Sequence, residues 1–210
     1  VRAFLREFLS DRRVVDLNRI FWNLILYFLV LPFRPKRSAE LYKRIWDGHE
    51  FPLIKITGSF VEKLKRLKMS ESISYEYAYI LTEPRLRTVV REQVELCRQQ
   101  SDTKLVFVPL FPQYSESTSA SVYDVVAASL HGSTFIPHVE FLNSFHKSRA
   151  FIDGGCENIF STLKQSKTSV DALVISFHGI PKRRVTEKKD PYYRHCLETF
   201  SLMKARLLPH

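Results

Sequence analysis

Cysteine is scarce in this sequence, and the three thiols that it has are isolated. Cys97, Cys156 and Cys196 lie far apart, with no CxxC pair and no spacing typical of metal ligands. Scattered thiols of this kind indicate reduced cysteines in a cytosolic protein and argue against a disulfide framework. We therefore expect no iron–sulfur cluster in this chain.

Long apolar runs are also lacking, and we expect no signal peptide. A helix that crosses a bilayer needs about 20 apolar residues. The most apolar stretch, residues 21–33 (FWNLILYFLVLPF), is shorter and is interrupted by Asn23 and Pro32. It is flanked by Arg19, Arg34, Lys36 and Arg37. Two interpretations are open. Such a run is more often a core helix, but it can also form an amphipathic surface that lies at the membrane interface.

The charge is unbalanced, with 32 Lys and Arg against 22 Asp and Glu and a net charge of +10. Such a balance is common in nucleic-acid-binding proteins. However, the basic residues are scattered among the acids, and the sequence has no recognition-helix, RNP or zinc-finger signature. The charge therefore favours acidic small molecules or an anionic membrane as partners, and no nucleic acid.

Helix and strand patterns alternate along the chain. Runs that favour strands lie at residues 75–81, 105–110, 135–141 and 171–175. Apolar residues at helical spacing predict helices at residues 2–9, 38–46, 60–67, 82–97, 122–130 and 144–163, and from about Tyr193. Strands that alternate with helices predict βαβ units and a parallel sheet, and therefore an α/β fold.

A histidine follows the last predicted strand. The run 171–175 (DALVI) shows no polar alternation, which is typical of a strand buried on both faces. It leads into SFHGIP, where Gly179 and Pro181 turn the chain just after His178. Ligands of open α/β sheets bind at the carboxyl ends of strands, so His178 is a candidate functional residue. A histidine satisfied by a local hydrogen bond is an equally good interpretation of this stretch alone.

Another polar stretch follows the predicted strand at 105–110. Residues 111–124 (FPQYSESTSASVYD) hold several hydroxyl groups just before a predicted helix. Such a loop can donate hydrogen bonds to a carboxylate or phosphate near the helix N-terminus. A serine-rich loop that only caps the helix is the more frequent meaning. A further stretch, residues 182–196 (KRRVTEKKDPYYRHC), is charged, and we interpret most of it as a solvated surface.

Motifs in a fixed order carry a resemblance to a known family. They are LFPQYSEST at 110–118, SFHGIP at 176–181 and DPYYRHC at 190–196. Together they resemble the ferrochelatases, and the segments FLREFLSDRRVVDL and LPFRPKRSAELYKRIW are similar to the N-terminal region of that family. The SFHGIP form is most similar to proteobacterial members and their mitochondrial relatives. The resemblance implies a lyase that inserts ferrous iron into a porphyrin, protoporphyrin IX, in the last step of haem biosynthesis.

The resemblance also implies an architecture. It is a chelatase-type fold of two Rossmann-like domains, with parallel sheets flanked by helices and porphyrin held between the domains. We assign residues 1–157 to the first domain and residues 158–210, with His178, to the start of the second. The family begins with a strand that this chain lacks, and its C-terminal part carries an acidic residue that faces the histidine. We therefore expect the second domain to be incomplete.

By the same resemblance, His178 is the metal ligand or the base that removes pyrrole protons. A neutral imidazole suits both roles and binds ferrous iron better than it binds calcium or magnesium. The family's porphyrin contacts match an apolar lip at Phe4, Leu5, Phe8 and Leu9, propionate contacts at Arg34 and Tyr42, and cleft residues Tyr77, Tyr114 and Ser115. We expect porphyrin and ferrous iron as substrates and no tightly bound cofactor.

One departure from the family leaves a second function open. Many members carry Arg-Tyr where this chain has Glu76-Tyr77. Glu76 either repels the porphyrin propionates or is neutralised by a nearby basic side chain. The alternative function is a non-catalytic ferrochelatase-like protein that binds porphyrin or haem. The resemblance implies a cytoplasmic protein, with peripheral contact to the inner membrane as one alternative, or a mitochondrial matrix protein if the source is eukaryotic.

Overall fold

The structure is a computed structural model that describes residues 1–67, 72–100, 102–166 and 169–208. Its helices are α1 (Arg2–Ser10), α2 (Arg19–Ile25), α3 (Leu31–Lys43), α4 (Pro52–Leu67), α5 (Leu86–Gln99), α6 (Ser119–Leu130), α7 (Arg149–Gln165), α8 (Lys182–Thr186) and α9 (Tyr192–Leu207). Its strands are β1 (Lys104–Phe107) and β2 (His138–Phe141). The strands pair in a parallel sheet, with α6 in the connection between them. The predicted α/β class is confirmed.

Helical periodicity explains most of the helices. α5 buries Val90, Val94 and Cys97, at the three- and four-residue spacing of an amphipathic helix. The predicted helices match α1, α6, α7 and α9 to within a few residues, and they match parts of the longer helices α3 and α4. These predictions are confirmed, although the buried positions of α9 include the polar residues His195 and Thr199.

The N-terminal helices pack around one buried cluster. It consists of Leu5, Leu9, Leu26 and Leu31, with Phe4, Val15, Trp22 and Val30 packed against it. A π-helical turn, Leu26–Val30, joins α2 to α3, so the backbone is helical from Arg19 to Lys43. Asn18 caps this run, since its side chain accepts hydrogen bonds from two N–H groups of the first turn of α2, a common way to satisfy the free donors of a helix start.

The apolar stretch at residues 21–33 lies within this helical run and is buried on one face only. Leu26 is fully buried, whereas Phe21, Phe28 and Phe33 are 62%, 71% and 74% exposed. The core-helix interpretation therefore describes one face, while the opposite face presents large apolar side chains to solvent. Among the described residues, no helix is both long and apolar enough to cross a membrane.

The predicted strands at 105–110 and 135–141 are confirmed in shortened form as β1 and β2. Just past the strand ends, the N–H of Leu142 donates to the carbonyl oxygen of Phe107 at 2.9 Å. The rings of Phe107 and Phe141 are stacked with centroids 6.4 Å apart. The hydroxyl-rich loop therefore follows the carboxyl end of a strand, as the sequence predicts.

The predicted strand at residues 75–81 is wrong. In this segment Tyr79 alone forms a β-bridge, with Arg85. Its N–H donates to the carbonyl oxygen of Pro84 at 2.9 Å, and its own carbonyl oxygen accepts from the N–H of Leu86 at 2.7 Å. The segment thus folds back on the residues that lead into α5. Alternating tyrosines fit a pleated, half-buried surface, but a strand also needs a neighbouring strand with which to pair.

The predicted buried strand at residues 171–175 is also wrong. These residues form no regular strand, and Leu173 and Val174 are 48% and 85% exposed. A run this apolar is buried only where strands pair with it and helices cover both of its faces. Within the part of the chain that the structure describes, the sheet consists of β1 and β2, so the segment has no strand beside it.

The chain divides into two compact units. The first unit holds Val1–Leu105 and Ser121–Val139, and the second holds Val106–Ala120 and Glu140–His210. The boundary at residue 157 concerns the two domains of the family and stays a prediction. Of the predicted site residues, the first unit contains Phe4, Leu5, Phe8, Arg34, Tyr42 and Tyr77, and the second contains Tyr114, Ser115 and His178.

Candidate active site

Aromatic side chains of α1 and α3 meet in the first unit. The rings of Phe4 and Phe8, one helical turn apart, are stacked with centroids 5.9 Å apart. Tyr42 meets Phe4 edge-on at 6.1 Å and meets Phe51 in the same way at 5.9 Å. Phe8 and Tyr42 are partly exposed, at 38% and 36%. The structure therefore brings three of the predicted porphyrin contacts together in one aromatic group.

Leu5 and Arg34 occupy very different environments on the same two helices. Leu5 is 7% exposed and packs in the buried leucine cluster, so its side chain stabilises the unit. Arg34 is exposed on α3. It precedes Tyr42 by eight residues, which is about 12 Å along a helix axis and about 80° around it. A guanidinium at this place is open to an anionic group.

Tyr77 lies on the segment before α5. Its ring meets that of Tyr79 edge-on, with centroids 5.9 Å apart. Its hydroxyl lies over α4, where a β-carbon added at Gly58 would lie 3.4 Å from the hydroxyl oxygen. The Tyr77 hydroxyl therefore packs at van der Waals distance from the Gly58 position of α4.

The neighbouring carboxylate of Glu76 forms an ion pair. Lys65 Nζ lies 3.6 Å from Glu76 Oε1 and at the same distance from Glu62 Oε1. The Glu76 side chain is 45% exposed, and exposed pairs of this kind contribute little to stability. The pair nevertheless offsets the charge of Glu76, which supports the interpretation that a nearby basic side chain neutralises it.

His178 lies in an extended segment between α7 and α8, and its imidazole is exposed. The backbone N–H of His178 donates a hydrogen bond to the hydroxyl oxygen of Tyr192, in the first turn of α9. That hydroxyl donates in turn to the thiol of Cys196, and burial raises the pKa of Tyr192 to about 12. The backbone of His178 is therefore held by α9, whereas the sequence predicted a strand behind it.

Three consecutive residues of the hydroxyl-rich loop in the second unit bond to α9 or to Asp190, which lies just before α9. Gln113 Nε2 donates to Thr199 Oγ1 at 3.0 Å. The N–H of Tyr114 donates to Nδ1 of His195 at 3.3 Å. Ser115, which is 1% exposed, donates from Oγ to a carboxylate oxygen of Asp190 at 2.9 Å. The Ser115 hydroxyl therefore has a structural partner, and the position of Tyr114 depends on His195.

Asp190 is a buried anchor that the sequence did not single out. Its carboxylate is 4% exposed and accepts hydrogen bonds from Ser115 Oγ and from the N–H groups of Glu116 and Tyr192, the last two at 3.0 Å. Such charge-assisted bonds are stronger than neutral ones. An aspartate and a proline just before a helical pattern are a recognisable helix start, so the DPYY motif did contain a signal for this role.

Another buried group lies beside the loop. The rings of His146 and His195 are stacked with centroids 3.7 Å apart and planes within 10°. His146 Nε2 lies 2.7 Å from Glu198 Oε2, and this hydrogen bond lowers the pKa of Glu198. Burial, followed by the charge of His146, lowers the pKa of His195. No sequence signal pointed to the pair, because the two histidines lie on elements far apart in the chain.

A cluster of at least three His, Cys, Asp or Glu side chains that could hold a metal ion does not occur among the described residues. His178 is the predicted metal-binding residue in this part of the protein. Burial raises the pKa values of Cys97, Cys156 and Cys196, and all three thiols are free and buried. A buried thiol with a raised pKa is a poor metal ligand, because ligation requires the thiolate.

Comparison with known proteins agrees with these observations. A family model described as Ferrochelatase matches residues 1–210. The chain is 32% identical over 209 residues to proteins named ferrochelatase from Francisella tularensis subsp. tularensis and subsp. novicida, a match that covers 99% of this chain and 61% of each relative. It is 35% identical to the ferrochelatase of Idiomarina loihiensis, over 99% of this chain and 56% of the relative. The chain thus spans about three fifths of the length of these relatives. Since the family model covers it from end to end, the chain belongs to the ferrochelatase family.

Proposed function

We propose that the full-length protein is a ferrochelatase that inserts ferrous iron into protoporphyrin IX, the last step of haem biosynthesis. One observation carries the proposal: the SFHGIP motif presents an exposed imidazole, His178, within a chain that matches the family over its whole length. The hydrogen bond from the His178 backbone to Tyr192 supports it further. A residue whose backbone is held while its side chain is exposed suits a group that must meet a substrate.

His178 acts in this proposal as the proton acceptor for the pyrrole nitrogens or as a ligand of the incoming iron. Porphyrin must lose two N–H protons before it can hold a divalent metal, and a neutral imidazole can accept one of them at cellular pH. The same lone pair can bind ferrous iron. Both roles require a neutral ring that solvent and substrate can reach, and the exposure of His178 is compatible with that requirement.

The porphyrin has an apolar ring face and negatively charged propionates, and the chain offers side chains that suit each of them. Its apolar face suits the aromatic group of Phe4, Phe8 and Tyr42, where ring contacts add to apolar burial. Its propionates suit the exposed guanidinium of Arg34, which can form paired hydrogen bonds to a carboxylate. Ferrous iron enters as a substrate, and we propose no tightly bound cofactor and no iron–sulfur cluster in this chain.

Peripheral membrane contact from the cytoplasmic side is the localisation that we propose. The apolar face of the α2–α3 run supports it, because side chains as large as Phe28 and Phe33 are more than 70% exposed there. Arg34 and Arg37 are exposed close by, and basic residues beside an apolar face attract anionic lipid. If the source is eukaryotic, the equivalent compartment is the mitochondrial matrix.

Replacement of His178 tests the proposed activity. In the full-length protein, His178→Ala should lower the rate of iron insertion by about 10²- to 10⁴-fold, the usual contribution of a general base, while porphyrin still binds. His131→Ala is a matched control, because His131 is also exposed and lies outside the motif. Insertion is followed by the loss of free-porphyrin fluorescence. Wild-type activity in His178→Ala would refute the assignment, and a wild-type protein that binds porphyrin without metallating it would favour the non-catalytic alternative.

A further inference from the structure

The contacts of His195 define which of its nitrogens carries a proton. A backbone N–H is always a donor, and the N–H of Tyr114 points at Nδ1 of His195 at 3.3 Å. Nδ1 must therefore be the acceptor, so the ring is neutral and its proton is on Nε2. The residue is 9% exposed, and burial lowers its pKa, which supports the neutral form that the hydrogen bond requires.

The groups around His195 have opposing effects on its charge. His146 is stacked on it at 3.7 Å, and Lys147 and Arg194 add positive charge that opposes protonation. Glu198 favours protonation, but its carboxylate already accepts a hydrogen bond from His146 at 2.7 Å. Burial is the largest cause of the lowered pKa of His195, and the positive charge around the ring acts in the same direction, so together they favour the neutral form.

We propose that His195 is a positioning residue for the porphyrin-binding loop. Its neutral Nδ1 holds Tyr114 in place, and protonation of His195 as the pH falls releases the Tyr114 peptide from α9. The assignment rests on the proposed function, because Tyr114 is placed at the porphyrin by family resemblance. The regulation goes beyond the proposed function, because the geometry of the loop then depends on the charge of His195, which does not touch the substrate.

The release is local because the neighbouring contacts do not depend on His195. Gln113 remains bonded to Thr199, and Ser115 remains bonded to Asp190. Protonation would turn Nδ1 from an acceptor into a donor, so that two N–H groups face each other across 3.3 Å. The peptide between the two retained contacts must then turn away, and Tyr114 moves with it.

Two substitutions separate the acceptor role of His195 from its titration. His195→Asn places an amide oxygen at the position of Nδ1, so it keeps an acceptor but cannot be protonated in this range. His195→Phe keeps a flat ring for stacking on His146 and removes the acceptor. In the full-length protein we expect the Tyr114 amide to exchange with solvent slowly at pH 8 in wild type and in His195→Asn, and at least tenfold faster in His195→Phe.

Exchange as a function of pH gives the decisive comparison. After correction for intrinsic exchange, protection of the Tyr114 amide should fall at least tenfold in wild type between pH 8 and pH 5, and should stay constant in His195→Asn, with amides of α6 as the internal reference. Constant protection in wild type, or an equal loss in His195→Asn, would overturn the proposal. If a variant fails to fold, the wild-type series combined with the ¹⁵N shift of His195 Nδ1 remains a complete test, because both must change over the same pH range.

Porphyrin affinity links the loop to the substrate. The KM for porphyrin should rise at least fivefold between pH 8 and pH 5.5 in wild type and should be flat in His195→Asn. A loop that opens with pH while KM does not change would overturn the positioning role. That result would not contradict the proposed iron insertion, because the His178→Ala variant tests that activity independently of this pH profile.

Discussion

Tyr192 is the residue that connects the proposed catalytic histidine to a regular element. Its hydroxyl accepts a hydrogen bond from the backbone of His178 and donates one to Cys196. Because His178 follows an extended segment and not a strand, this contact supplies the support that the sequence pattern assigned to the sheet. The position of the imidazole should therefore depend on a hydroxyl that lies outside the SFHGIP motif, in the first turn of α9.

Removal of that hydroxyl should impair iron insertion more than it impairs folding. In the full-length protein, Tyr192→Phe loses the two hydrogen bonds of the hydroxyl, which together cost about 1–3 kcal/mol of unfolding free energy, while misplacement of the imidazole should lower kcat by about 10- to 100-fold. Tyr193→Phe is the matched control, because the Tyr193 side chain is 55% exposed. Iron insertion and urea unfolding are measured for both variants. Equal kcat values in the two variants would show that Tyr192 does not position His178.

The paired side chains of the second unit predict how stability depends on pH. The folded-state pKa of His195 is lowered from 6.5, and that of Glu198 is lowered from 4.5. In each case the folded state binds protons less readily than the unfolded state, so the stabilisation is complete above the unfolded pKa and is lost as the pH falls. We predict a constant unfolding free energy down to about pH 6.5 and a decline below it, with a further decline below about pH 4.5.

The same two residues provide the control for that profile. His195→Asn should remove the decline that starts near pH 6.5 and keep the one that starts near pH 4.5, because Glu198 remains. Urea unfolding of the full-length protein at a series of pH values measures both. A profile in His195→Asn that follows wild type between pH 6.5 and 4.5 would contradict the role given to His195.

The sequence could predict a functional residue where the residue lies in a recognisable motif. It could not do so where the role of the residue comes from a contact between distant parts of the chain. His178 was singled out because glycine and proline follow it, and the structure leaves its ring exposed. His146 and His195 carried no such signal, since their stacking joins a loop before α7 to α9. Asp190 falls between these cases: its place before a helix start was visible, but its burial depends on the loop that packs over it.

At the scale of elements, the helical run from α2 to α3 presents an apolar face without a covering element among the described residues. Phe28 and Phe33 are among its most exposed side chains, and the π-helical turn lies between α2 and α3. Exposure of apolar surface to water is unfavourable in free energy, and large exposed apolar patches usually mark an interaction surface. The nearby arginines favour an anionic membrane as that partner.

Polar substitution on this face should weaken membrane binding of the full-length protein. Phe28→Ser combined with Phe33→Ser removes two large apolar groups, each of which contributes about 1.5–3 kcal/mol when buried, so affinity for anionic vesicles should fall at least tenfold. Leu53→Ser with Ile56→Ser is the control, because these α4 side chains are 64% and 66% exposed. Vesicle co-sedimentation measures binding, and equal loss in both double variants would refute a specific membrane face.

Helices were easier to predict than strands, for a physical reason. A helix satisfies its own backbone hydrogen bonds, so an apolar stripe such as that of α5 is enough to reveal it. A strand depends on hydrogen bonds to a neighbouring strand, which can come from any part of the chain. The tyrosine-rich segment before α5 has the right alternation but bonds to Pro84 and Leu86, and the run at 171–175 has the right composition but no strand beside it among the described residues.

At the scale of the whole molecule, the order of the motifs was more informative than any single one. Composition alone allowed several kinds of anion-binding protein, and neither the hydroxyl-rich loop nor SFHGIP was specific when taken separately. The three motifs in sequence identified the family, and the family model matches over residues 1–210. The structure adds contacts that the order of motifs cannot show. His195 and Tyr192 of α9, with Asp190 just before it, support both the loop and the histidine.

The proposed activity should require more of the protein than these 210 residues. The chain spans about three fifths of the length of its relatives, and within its described part no acidic side chain forms a metal-binding cluster with His178. Val174 is 85% exposed, although it lies in a run typical of a buried strand. We predict that the 210-residue polypeptide inserts no iron above the uncatalysed rate and is cleaved by protease between residues 169 and 178 faster than the full-length protein. Both proteins are assayed at equal concentration, and turnover by the shorter one would mean that the complete site lies within this chain.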